Sequence, residues 1–119
     1  MLETSVLDHP VGGPAVFAAQ IEHLLHTANQ GLIRVRVVPM DAQVYAPAIN
    51  IAELVLPNGL RIYATTDGGV LYRGGMDENT RMAEFLQRAA DASLPETESR
   101  ALLEHVRDAA ATGKPLLRL

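Results

Sequence analysis

The sequence has 119 residues, 48% hydrophobic and 20% charged. That length sustains one core, and that composition lies far from the low-hydrophobicity, high-charge signature of disorder. A net charge of −4 disfavours the sequence-independent phosphate attraction behind most nucleic-acid affinity. The absence of cysteine excludes disulfides, thiolate metal sites and cysteine nucleophiles. No window approaches the roughly 18 consecutive apolar residues that cross a bilayer. The opening MLETSVLDHP has no basic region leading into an apolar stretch. Neither membrane insertion nor export is therefore expected, and the chain reads as cytoplasmic.

The charge is unevenly spread: −3 over residues 1–30, +1 over 31–75 and −2 over 76–119. After Gly12-Gly13-Pro14, residues Phe17, Ile21, Leu24 and Ala28 recur at helical spacing with Val16 and Leu25 on the flanks. This predicts an amphipathic helix over about 14–29, with Pro14 at its first position and Gly31 as the left-handed residue that ends it. In LIRVRVV (32–38), Ile33, Val35 and Val37 alternate with Arg34 and Arg36, the pattern of a strand with one wet face. INIAELVLPNGLRIYATT reads as two strands around an Asn58-Gly59 reversal. A second reversal at Asp67-Gly68-Gly69 leads into VLYR (70–73), so residues of about 32–74 form an antiparallel meander of three or four strands.

Asp77 is the expected cap of a helix over about 78–92 with Met82, Phe85, Leu86 and Ala89 as its apolar stripe. A last helix, about 95–112, opens on Ser93-Leu94-Pro95-Glu96, the pattern of a capping box, and buries Leu102, Val106 and Ala109. Gly113 and Pro115 stop it and leave an apolar tail, 115–119. The expectation is one α+β domain over 1–119: an N-terminal helix, a three- to four-stranded antiparallel meander and two C-terminal helices.

A two-residue loop at Asn58-Gly59 sets Leu56 opposite Arg61, Val55 opposite Ile62 and Leu54 opposite Tyr63. One side of the hairpin then carries Ile51, Val55, Ile62 and Ala64, and the other Ala52, Leu54, Leu56 and Tyr63. With apolar residues on both sides, neither is expected to face water, so helices or a second copy of the chain should cover each.

Among residues that carry chemistry, Arg34, Arg36, Arg61 and Arg73 with Tyr63 are expected to share one side of the sheet. Arginine and tyrosine in that setting suit a protein interface, and the same mixture stacks bases or grips phosphate. Glu53 interrupts an apolar face, which makes it a candidate base. Glu22, His23 and His26 have helical spacing compatible with a metal, but their order is that of any solvated helix face, and no metal is expected. Gly74-Gly75 before a helix resembles a phosphate cradle, yet Asp77 and Glu78 already answer the positive helix end. No cofactor is expected. Leu116, Leu117 and Leu119 of the tail are candidate contacts.

No spacing links a nucleophile to a base, or two carboxylates to each other. The expected function is therefore a small non-enzymatic protein-interaction module, homodimeric, that presents the Arg and Tyr side or the tail to another protein. The alternatives are a nucleic-acid accessory protein using that Arg and Tyr side, and a small enzyme or ligand binder with Glu53 as base.

Overall fold

Proline at a first helical position and a left-handed glycine past the last turn bound the first expected helix, and a computed structural model places it there, at Pro14–Asn29. The structure describes residues 1–39, 50–66, 70–73 and 76–113. Helices and a small antiparallel sheet make the chain α+β. The described residues fall into two compact units, one built from those before 40 and from 92 onward, the other from those between 50 and 91. No helix among them is long and apolar enough to cross a membrane.

The first unit contains β1 (Leu2–Glu3), α1 (Thr4–Leu7), α2 (Pro14–Asn29), β2 (Val37–Val38) and α4 (Glu96–Ala111). Phe17, Ile21 and Leu25 form the buried row of α2, and Ser99, Leu103, Val106 and Ala110 that of α4, with Ala109 buried beside them. With Leu7 and Val37 the apolar members make one core. Leu24 and Leu102, expected in the buried stripes, are half-buried at its margin, and their neighbours Leu25 and Leu103 take the central places. Phe17, Ile21, Val106 and Ala109 are buried as expected; where two apolar residues are adjacent, packing decides which one takes the central place.

Residues 32–38 do not join the meander. Only Val37 and Val38 are strand, and they pair in parallel with Leu2 and Glu3. The reason lies in where the backbone groups go. Leu2 N–H donates to the Arg36 carbonyl (2.9 Å), Leu94 N–H donates to the Val37 carbonyl (2.8 Å), and Val37 N–H donates to Ser99 Oγ (2.9 Å). Arg36 and Val37 are thus engaged by the N-terminal strand, by Leu94 and by Ser99 of α4 instead of by a strand of the meander. The capping box expected at Ser93 is also absent: Pro95 is the N-cap and no side chain caps α4. Ser93 is buried instead, and its carbonyl accepts from Arg36.

The second unit holds β3 (Asn50–Val55), β4 (Arg61–Thr66), β5 (Val70–Arg73) and α3 (Met76–Ala92), which ends at the boundary with the first. The strands form a three-stranded antiparallel meander in the order β3-β4-β5. Helix α3 starts at Met76 rather than 78, so Asp77 lies within it and not before it.

Between β4 and β5, Tyr63 pairs with Arg73 as expected. Between β3 and β4 the register is one residue off: Val55 pairs with Arg61, Leu54 with Ile62 and Glu53 with Tyr63. The loop has three residues, because Leu56 N–H reaches the Leu60 carbonyl (2.8 Å) and Gly59 N–H closes back on the Leu56 carbonyl (2.9 Å). Pro57 takes the second position of that turn, Asn58 Oδ1 accepts from Leu60 N–H, and Gly59 supplies the positive φ of 84° that completes it. With a side-chain period of two, the slip exchanges every β4 residue between the sides. One side now carries Ile51, Glu53, Val55, Arg61 and Tyr63, the other Ala52, Leu54, Ile62 and Ala64. On the second side Ala52 is exposed and Leu54 is 50% exposed, while Ile62 and Ala64 are half-buried.

Candidate functional site

The corrected register brings three polar side chains of the hairpin together. Glu53 and Tyr63 are directly opposed on β3 and β4, and Arg61 stands two residues before Tyr63 on the same side. Tyr63 is 1% exposed, and a phenol at that depth needs a hydrogen-bond partner. Its hydroxyl donates to Glu53 Oε2 at 2.7 Å, while Arg61 Nη1 donates to Glu53 Oε1 at 2.8 Å from the solvent side. Both oxygens of Glu53 thus already accept from a charged or hydroxyl donor. The carboxylate proposed as a base is the hub of a small polar network.

The same network holds the Tyr63 phenol above its ordinary value of 10.0. The hydrogen bond it donates to Glu53 is the largest cause, followed by burial and then by the negative charge of Glu53, against which Arg61 works. Tyr63 is therefore a donor at neutral pH. Its raised value means that the folded state retains the proton longer than the unfolded chain. The corresponding stability is fully present below pH 10 and is lost as pH climbs through the folded value. In an alkaline absorbance titration one of the three tyrosines is expected to ionise late, and Tyr63→Phe is expected to remove that late phase. Three tyrosines titrating together near their ordinary value would contradict the network.

A second candidate lies in the first unit, and no sequence reading singled it out. Leu25 and Ala28 near the end of α2, Gly31, Ile33, Arg34 and Val35 after it, and Glu96, Arg100 and Leu103 of α4 line a cleft of about 250 Å³. Of its lining, Leu25 and Leu103 are buried, whereas Arg34, Glu96 and Arg100 are exposed. Arg34 Nε approaches Glu96 Oε1 to 3.6 Å, beyond hydrogen-bond reach, and its side chain is 89% exposed.

A family model described as Domain of unknown function (DUF5753) matches residues 1–105, a span that takes in both units and runs into α4. The chain belongs to that family. Comparison with curated proteins and with solved structures finds no match to it.

The DUF5753 fold distributes the remaining expected residues as follows. Arg34 and Arg36 are in the first unit, outside the meander, whereas Arg61, Tyr63 and Arg73 belong to the meander of the second. Arg36 is a structural clamp: Nε donates to the Leu94 carbonyl (3.0 Å) and Nη2 to the Ser93 carbonyl (3.1 Å). On α2, His23 and His26 are exposed and Glu22 is held by Arg107 Nη1 at 2.6 Å. Among the described residues no group of three or more His, Asp or Glu side chains is arranged to hold a metal ion. Leu116, Leu117 and Leu119 lie outside the described residues.

Proposed function

We propose that this DUF5753 domain is a non-enzymatic protein-interaction module that pairs with a second copy of itself through the Ala52 and Leu54 side of its hairpin. The observation behind this reading is the exposed apolar row. Leu54 is 50% exposed beside exposed Ala52 and half-buried Ile62 and Ala64, and Leu60 (56%) adds apolar surface in the turn. Single exposed apolar residues are ordinary on a protein surface, but a contiguous set on one side of a sheet is the mark of an interface. A patch on one hairpin that meets its own copy gives the two-fold arrangement most homodimers use. The opposite side, with Arg61 at its rim, is then left for another protein. The cysteine-free composition accords with work in the cytoplasm.

Light scattering at tens of micromolar is expected to give twice the chain mass. Leu54→Asp places a charge in the contact and is expected to raise the dimer dissociation constant by about 30-fold or more, with the circular-dichroism spectrum unchanged. A chain mass for the unsubstituted protein at that concentration would overturn the homodimer.

A further inference from the structure

We propose that the cleft of the first unit is a binding site for a small organic carboxylate with a compact apolar body. This inference is independent of the homodimer, since the cleft and the hairpin belong to different units.

Three observations carry it. The first is shape and lining. Buried Leu25 and Leu103 and half-buried Val35 supply an apolar lining, and the volume of about 250 Å³ exceeds the roughly 150 Å³ in which an apolar cavity takes up a benzene ring. There is space for one ring or a short alkyl chain with its polar head at the mouth. Gly31, left-handed at φ 75°, keeps one wall low: even a Cβ there would meet nothing within 4 Å.

The second is charge. In a chain of net charge −4 the cleft residues Arg34, Arg100 and Glu96 sum to +1. Cationic groups beside low-dielectric walls concentrate anions locally even when the whole protein is acidic.

The third is unused donor capacity. Arg100 is exposed and has no hydrogen-bond or ion-pair partner among the described residues. It lies one helical turn beyond Glu96, where a pair would ordinarily form. Glu96 leans instead toward Arg34, at a distance of 3.6 Å that leaves both guanidinium groups able to turn to an incoming anion. A guanidinium fork matches a carboxylate in two parallel hydrogen bonds, which selects that head group over a neutral isostere.

The test uses the whole chain and isothermal calorimetry with two probes of one shape, 3-phenylpropionate and the neutral 3-phenylpropanamide. The carboxylate is expected to bind with a dissociation constant at or below about 1 mM, and the amide about tenfold or more weaker. Arg100→Ala is expected to weaken the carboxylate about tenfold while leaving the amide unchanged. Ala28→Leu, which keeps a helix former in α2 and fills the cleft, is expected to abolish binding of both probes with every charge in place. Circular dichroism confirms that each variant is folded. Absence of carboxylate binding at millimolar concentration overturns the proposal, as does equal binding of acid and amide. Undiminished binding by folded Ala28→Leu would place the ligand elsewhere and overturn it equally.

Discussion

Leu7→Ala is expected to lower the unfolding free energy by about 3 kcal/mol, the usual cost of truncating a buried leucine when the surroundings close over the gap only in part. Leu7 is 1% exposed and belongs to the cluster of Phe17, Ile21, Leu25, Val37, Leu103, Val106 and Ala110. It projects from α1, a single helical turn of four residues without a side-chain cap. A turn that short has no stability of its own, since nucleation fixes several dihedrals for one hydrogen bond. Tertiary contacts must hold the N-terminal segment: Leu7 in the core, and Leu2 and Glu3 paired in parallel with Val37 and Val38. The control is one residue away. Val6 is 52% exposed on the same turn, and Val6→Ala is expected to change stability by less than about 0.5 kcal/mol. Urea unfolding followed by circular dichroism measures both, and equal midpoints for the two variants would mean that residues 1–7 are not part of the core.

That segment also marks where sequence reasoning loses sight of the fold. A two-residue strand and a one-turn helix each span about one period, too little for a repeat to register, so β1 and α1 leave no signal. Helix α2 was legible to the residue because Pro14 and Gly31 each have one conformational use at a helix end. Residues 32–38 were misread for the opposite reason. Their alternation is that of a strand, but partner choice is decided by groups some sixty positions away, at Leu94 and Ser99. The second hairpin fell into its expected register, and the first slipped because Pro57 was not counted as part of the turn. A proline in the second position of a turn with glycine two residues later was the signal available.

The candidate sites divide along the same line. Glu53 stood out in the sequence as a carboxylate among apolar neighbours, and its pairing with Arg61 is the ordinary answer to such a position. That it would also receive the Tyr63 hydroxyl depended on the one-residue slip, which put Tyr63 directly opposite. The cleft had no local trace at all. It exists because residues 25–35 meet residues 96–103, and nothing in either stretch encodes the other.

The contact that joins those stretches is a second place where one atom is expected to matter. Ser99→Ala should cost about 2 kcal/mol, although it removes a single oxygen. Ser99 is wholly buried, and its hydroxyl accepts from Val37 N–H at 2.9 Å while donating to the Leu94 carbonyl at 3.1 Å. The two hydrogen bonds are unequal in consequence. Without the hydroxyl the Leu94 carbonyl still receives Arg36 Nε at 3.0 Å, whereas Val37 N–H, on a residue with no exposed surface, loses its acceptor. A buried donor left unmatched forfeits its hydration with nothing in return, and that cost exceeds the net worth of the bond itself. Amide hydrogen exchange separates this cause from a general loosening of the core. In Ser99→Ala, Val37 is expected to lose protection by more than Leu103 or Val106, which belong to the same core but whose N–H groups do not donate to the serine hydroxyl. A uniform loss across all three would instead assign the destabilisation to packing around α4.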